Sequence, residues 1–291
     1  MIWISVVLQG VLLGAVYSLF ACGLSLMFGV MRIINLAHGD ISVVGAYLAW
    51  WIATRAGVSP FLALIVVLPA MLVVGYVLQL ALLARSLRGG PLVPLLTTFG
   101  LAIVIQNALL EIFTPDVRSL GAAAGAITQA SWRITSSLAI SWFGLLILAV
   151  AVLVLGGLDQ FLRRSALGRE MRATAQDPDA AQLVGIDARA VYARATALAV
   201  ATAALAGTFL AMRSTFEPGS GPTQLIFAFE AVVIGGTGSL WGTLVGGIVL
   251  GVAQTLGAHI HPQYSMLAGH LVFLAVLASP RGRMLLARSR T

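Results

Sequence analysis

Residues 223–258 read TQLIFAFEAVVIGGTGSLWGTLVGGIVLGVAQTLGA, 36 positions (258 − 223 + 1) with one charged side chain, Glu230. A single straight helix of that length would extend about 54 Å at about 1.5 Å per residue. A hydrocarbon core is only about 30 Å thick. The run Gly235-Gly236-Thr237-Gly238-Ser239 supplies the break, because glycine is a poor helix residue and a good turn residue. The stretch therefore predicts two short membrane helices with a glycine turn between them. Gly235, Gly236, Gly238 and Gly242 are its candidate hinge or break positions.

The rest of the chain repeats the pattern. Of 291 residues, 59% are hydrophobic and 9% charged, with a mean hydropathy of +1.00; soluble domains carry roughly 25% charged residues. Residues 1–31, 56–84, 89–110, 134–158, 195–212 and 231–280 have no formal charge. Runs of this length predict an all-α polytopic membrane protein, whereas a β-barrel shows only weak alternating segments. Candidate spans are 4–29, 38–54, 60–83, 92–113, 138–157, 193–212, 223–237, 240–258 and 264–279. The expected total is about 8–10, because 38–54 and 223–237 are short enough to be broken or re-entrant. Segment 114–137 reads as a loop with a small surface helix. Residues 1–291 form a single transmembrane domain.

All 17 basic residues are Arg. With nine spans and the N-terminus outside, Arg32, Arg85, Arg88, Arg163, Arg164, Arg169, Arg172, Arg189, Arg194, Arg281, Arg283, Arg288 and Arg290 fall in the cytoplasm. Arg55, Arg118, Arg133 and Arg213 fall outside, a division that fits the positive-inside rule. The net charge of +7 is thereby read as orientation and not as a nucleic-acid surface. Without Lys, neither a phosphate-binding loop of the G-x-x-x-x-G-K-[ST] type nor Schiff-base chemistry is available. No hydrolase or metalloprotease signature and no Cys cluster occurs, so no catalytic residue and no metal site is expected; Cys22 reads as a small core residue.

The longest strongly polar stretch runs from Gly168 to Asp187, within a loop at about 163–190. Asp177 suits a helix N-cap, Pro178 the first helical position and Gly185 the C-terminal cap. Between them lie Ala180, Ala181, Leu183 and Val184, a short helix with a small-residue face. It reads as a docking element for a soluble partner, against the plainer reading of a solvated connector. Asn35, His38 and Asp40 sit where an apolar span should be, and Glu230 sits within another. Such groups at membrane depth are costly and point to function. Asn35, His38 and Asp40 line a translocation path, hold a broken helix together or sit at the cytoplasmic interface with His38 capping backbone groups; Glu230 is a pathway residue or a partner for an Arg or a polar backbone break. Gly10/Gly14, Gly242/Gly246 and Gly247/Gly251 recur at the four-residue spacing that lets helices pack closely. His259 and His261 have no third ligand and read as an external loop.

Three blocks resemble one family. They are Gly23 to Gly29 with Ile34-Asn35-Leu36-Ala37-His38-Gly39-Asp40 and Gly45-Ala46-Tyr47; the polar loop with Gly168, Arg169, Arg172, Ala173, Ala175, Asp177, Ala181, Gly185 and Ile186; and Ala228-Phe229 then Ala231 to Gly236 with Gly238, Ser239, Gly242, Gly246, Gly247 and Gly251. Together they resemble the branched-chain amino-acid ABC permeases of the LivH type. Asp40 stands where that family commonly has Glu, Trp241 where it has Pro, and Glu230 where it has a small neutral residue. The resemblance implies ABC importer permease architecture and a chain that is a transport subunit and not an enzyme. It implies a bacterial inner-membrane location and a substrate among branched-chain or related amino acids, amides or urea. Its implied partners are a second permease subunit (LivM-like, or a second copy), two cytoplasmic ATPases that bind ATP and Mg, and a periplasmic or lipid-anchored substrate-binding protein. It assigns the 173–186 helix within the loop at 163–190 as the ATPase-docking or coupling helix. An ion-driven carrier, with Asp40, Glu111 and Glu230 moving protons, is the competing reading.

Overall fold

The first helix, α1 (Ile2–Met31), carries no charge over 30 residues and is buried on most sides. Its Gly10, Gly14 and Gly23 let the main chains of other helices approach closely, and α1 takes the centre of the bundle in the computed structural model, which describes residues 2–90, 92–135 and 138–279. Past Met31 the chain turns back at Arg32, whose φ is +55°. Residues 32–37 run up alongside α1 until the Nε2 atom of His38 meets the Phe20 carbonyl at 2.9 Å. Phe20 precedes Met31 by 31 − 20 = 11 residues, about 16 Å along a helix axis. Six extended residues span at most about 20 Å, enough for that climb. Helix α2 (His38–Ala56) therefore starts part-way up the bundle and not at its rim.

Helix α3 (Pro60–Leu78) is capped by Ser59 and continues through a π-helical turn at Gln79–Leu83 to Ala84–Ser86. Its Gly75 lies against Ala197 and Val200, and Thr196 Oγ1 donates to Gln79 Oε1 at 2.8 Å. Helix α4 (Leu92–Phe113) follows. Residues 114–141 differ from expectation. The small surface helix is only a 3₁₀ turn at Ala126–Thr128, and the expected span 138–157 begins as a strand. Strands β1 (Ser131–Thr135) and β2 (Leu138–Ser141) pair antiparallel, and Ser141 then caps α5 (Trp142–Arg164) by accepting from Gly144 N. The first apolar residues of that stretch are thus used by a hairpin, with Trp132 and Trp142 stacked across it.

Helices α6 (Ala166–Gln176) and α7 (Pro178–Leu183) form the polar loop, and α8 (Ala188–Arg213) is the second buried span. Helix α9 (Gly221–Gly235) ends where the glycine run begins. Gly236 and Gly238 have φ of +92° and +79°, a left-handed region open to glycine without strain. Ser239 then caps α10 (Leu240–Ile260), which is followed by α11 (Tyr264–Ala278). The expected break at 235–239 is present, and each of the nine expected spans has a helix. Six described helices are long and apolar enough to cross a membrane: α1, α3 with its extension, α4, α5, α8 and α10. The tail carrying Arg281, Arg283, Arg288 and Arg290 lies outside the described residues.

Helix α10 joins the bundle through bare backbone. A Cβ on Gly14 would collide with Gly247, one on Gly251 with Gly10, and one on Gly246 with Ala231 of α9. The four-residue glycine spacings are therefore contact seams. Gly157 on α5, in contrast, has open space around it. Gly14→Val is expected to abolish the monodisperse detergent-solubilised protein, because the main chain of α10 must retreat. Gly157→Ala is expected to hold or raise the melting temperature, since alanine favours a helix by about 1 kcal/mol. A Gly14→Val protein that melts like the wild type would show that the seam does not hold α10.

Candidate functional site

Two sets of polar residues stand out from the apolar bundle. The first is buried. Asn35 and His38 are 0% exposed, Asp40 1% and Glu230 3%. A helix that begins inside the bundle has unpaired N–H groups, and water is not there to satisfy them. Asn35 serves this end: its Oδ1 accepts from Ala37 N at 3.0 Å and its carbonyl from His38 N at 3.1 Å. Thr98 Oγ1 of α4 accepts from Leu36 N at 3.1 Å. Asp40 Oδ1 accepts from Gln106 Nε2 of α4 at 2.9 Å and lies against Gly221, the first residue of α9. Asn35, His38 and Asp40 thus hold the start of α2 against α1, α4 and α9.

Glu230 lies elsewhere, on α9, with its Oε1 atom 2.5 Å from His270 Nδ1 of α11. Its other carboxylate oxygen is buried without a partner among the described residues. His270 went unsingled in the sequence, although a His within an apolar run is the same signal that drew attention to Glu230. The four candidate pathway residues therefore fall in two groups, and neither described cavity is lined by any of them.

The second set lies at the arginine-rich end of the molecule. Here Leu26, Met27, Val30 and Met31 of α1 pack with Leu83, Met171 of α6 and Val191 and Ala195 of α8 as an apolar cluster separate from the main core. Ser165 caps α6 by accepting from Gly168 N at 3.0 Å. Gly168 is obligatory, because a Cβ there would run into the main chain of Leu162. Arg172 Nη1 donates to the Leu162 carbonyl at 2.7 Å, and Arg194 Nη1 to Glu170 Oε2 at 3.1 Å. Asp177 Oδ1 accepts from both Asp179 N and Ala180 N at 2.9 Å, so it caps α7 as its position suggests. At the other end Gly185 has φ +85°, with Ile186 N bonded to Ala181 O and Gly185 N to Gln182 O. That pair of bonds is the Schellman closure.

The face that α7 presents outward is not the expected one. Ala181 is 4% exposed and points into the protein, and Ala173 and Ala175 are half-buried. Leu183 and Val184 are 90% and 75% exposed and form an apolar tip beside exposed Ala180 and Gln182. In a helix of six residues, position along the chain does not tell which side meets the neighbouring helices. Arg169 and Gly185 are exposed as well.

A cavity of about 530 Å³ opens between this loop and the glycine break. Gly168, Arg172 and Ala175 of α6 line one side, Gly238 and Trp241 the other, with Asp159 of α5 between. Asp159 Oδ2 accepts from Arg163 Nε at 2.8 Å and from Trp241 Nε1 at 3.2 Å. Gly235 and Gly242 meet each other directly, so no side chain separates α9 from α10 there. Residues of the expected docking loop and of the expected hinge thus share one space. The Asp159–Trp241 bond joins residues 82 apart and carries no signal in the sequence.

Comparison with known proteins gives a family context for this geometry. The family described as branched-chain amino acid transport system / permease component matches residues 6–277. The chain is 32% identical to the high-affinity branched-chain amino acid transport system permease protein BraD of Pseudomonas aeruginosa, over 94% of this chain and 93% of that one. It is 29% identical to the corresponding LivH of Escherichia coli, covering 94% and 92%. It is 24% identical to LivM of the same organism, covering 94% and 68%.

Two measurements test the geometry. Asp177→Ala removes both cap bonds of α7, a loss of about 1 kcal/mol, so hydrogen exchange at residues 179–181 should speed about fivefold while α8 is unchanged. Equal exchange in both proteins would mean that the cap does not hold the helix. For the Glu230–His270 pair, in which Glu230 is buried and His270 partly exposed, His270→Ala should lower the melting temperature most, because it leaves the buried carboxyl group of Glu230 without a hydrogen-bond partner among the described residues, a loss of about 1–3 kcal/mol. Glu230→Gln should cost less, and adding it to His270→Ala should restore much of the loss. Equal losses from the two single variants would rule out an unpaired Glu230 carboxyl group as the cause.

Proposed function

Since the chain belongs to the family of permease components of branched-chain amino acid transport systems, we propose that it is one membrane-spanning half of an ATP-driven importer for branched-chain or related amino acids. As a multi-pass permease subunit it is not an enzyme, and its relatives are transport components also. On this reading the arginine-rich end faces the cytoplasm of a bacterial inner membrane, in keeping with the positive-inside rule. Separate ATPase subunits bind ATP and Mg; a chain with no Lys has no phosphate-binding loop of its own. A substrate-binding protein delivers the solute on the opposite face.

The observation that carries the reading is the tip of α7. Two large apolar side chains stand in the open on a short helix whose ends are both closed by hydrogen bonds. An exposed apolar knob on a rigid mount suits insertion into a cleft of a partner. Gly168, Arg169, Arg172, Ala173, Ala175, Asp177, Ala181 and Gly185 take the role of mount, and Leu183 and Val184 that of the inserted surface. A push on α7 passes into α6 and reaches the cavity shared with the glycine break, where Gly235, Gly236, Gly238 and Gly242 provide the hinge. Movement of α9 and α10 about that hinge alternates access. The resemblance to LivM supports a related but distinct second permease as the other half.

Isolation of the tagged chain from its native membranes in mild detergent tests this directly. Recovery of an ATPase and a second permease is the expected result; recovery of the chain alone, active in uptake without ATP, would sink the proposal. Leu183→Asp with Val184→Asp should reduce ATPase recovery at least tenfold while membrane insertion is unchanged. Undiminished recovery would remove the α7 tip from the docking role.

A further inference from the structure

We propose that the cavity between α6 and the glycine break is a regulatory binding site for a free, zwitterionic amino acid on the arginine-rich side of the membrane. The inference rests on the importer reading above for the class of solute, and on the cavity's own chemistry for its placement. Its volume of about 530 Å³ lies within the roughly 300–1,000 Å³ of small-molecule sites. Its wall includes a buried, unpartnered polar group: Ser25 is 0% exposed, lies among the lining residues, and its hydroxyl has no hydrogen-bond partner among the described residues. Most buried side-chain hydroxyls find a partner; Thr174, elsewhere on α6, shares the unsatisfied state but does not line the cavity.

Both charges that a zwitterion needs are present. Asp159 faces the cavity and uses only its Oδ2 atom for Arg163 and Trp241, so Oδ1 remains for an ammonium group. Arg163 and Arg172 also line the space, and each commits one nitrogen to a protein acceptor, leaving other N–H groups to take a carboxylate. Leu26, Val30 and Met171 supply an apolar wall for an aliphatic side chain. An occupant there lies between Arg172 and Ala175 on one side and Gly238 and Trp241 on the other, so it wedges the loop away from the hinge. Accumulated solute thereby slows its own import.

Two measurements on the permease purified with its co-isolating subunits decide the matter. Without the binding protein, radiolabelled L-leucine should bind saturably to the complex in lipid nanodiscs. Asp159→Asn and Ser25→Ala, both conservative in shape, should weaken that binding at least tenfold while retaining ATPase recovery. Absence of binding, or equal binding by all three proteins, overturns the proposal. So does a phospholipid that co-purifies in the cavity and that leucine does not displace. In proteoliposomes with ATP and leucine enclosed on the ATPase side, import should fall several-fold relative to ATP alone, and Asp159→Asn should relieve the inhibition. Import that proceeds normally but ignores enclosed leucine removes the regulatory site alone. Failure of ATP-driven import of any amino acid removes the importer reading and this proposal with it.

Discussion

Close contact of main chains between helices is the constraint on which this structure depends. The apolar surface of a membrane helix is as content against lipid as against another helix, so packing and polar contacts must hold the bundle. Here α10 reaches α1 through Gly10, Gly14, Gly247 and Gly251, and reaches α9 through Gly235, Gly242 and Gly246. With no side chains between them, these helices approach until backbone meets backbone. The same economy recurs where α2 crosses α8, at Gly45 against Ala204 and Gly207 against Ser42. Asn35 and His38 take their space where the chain itself is interrupted, whereas Glu230 and Gln254 lie buried within continuous helices.

The interruptions are distributed with purpose. One lies at the start of α2 and is closed by Asn35, His38 and Thr98; the other lies between α9 and α10 and is left to glycine. The first is tied on three sides by hydrogen bonds. The second has left-handed glycines, is held by the Ser239 cap and the Trp241–Asp159 bond, and lies next to a cavity. In the proposed transport cycle the first is assigned the part of a fixed frame and the second that of a joint. The polar loop sits against the joint, with Gly168 packed on Leu162 so that α5 and α6 behave as one piece.

Much of this was legible from residue order and some was not. The nine apolar spans could be read because crossing a hydrocarbon layer demands long runs without charge, and the break at 235–239 because glycine has few other uses there. Asp177, Pro178 and Gly185 announced both ends of α7 because caps act over three or four residues. What required a neighbour stayed hidden. The phase of α7 depends on how it meets α8, so Ala181 looked like an outer face and turned out to be an inner one. The depth at which α2 begins depends on the Phe20 carbonyl, 18 residues earlier. Leu138–Ser141 carries the composition of a membrane span, but pairing with β1 takes it first. His270 and Gln106 are polar residues in apolar runs, which marks them as bonding between helices, but that they meet Glu230 and Asp40 is decided across other helices.

The inward start of α2 has a consequence for biogenesis. Leu36 N finds its acceptor on Thr98, 62 residues further along the chain. At a synthesis rate of about 5–20 residues per second, roughly 3–12 s separate the two. During that interval the Leu36 amide lacks its native acceptor, and bare backbone is not tolerated in hydrocarbon. The segment must therefore wait in contact with water or with the insertion machinery while α3 and α4 are made. Membrane insertion of this chain is thus not a simple procession of hairpins, one after another; its second helix is seated only after its fourth.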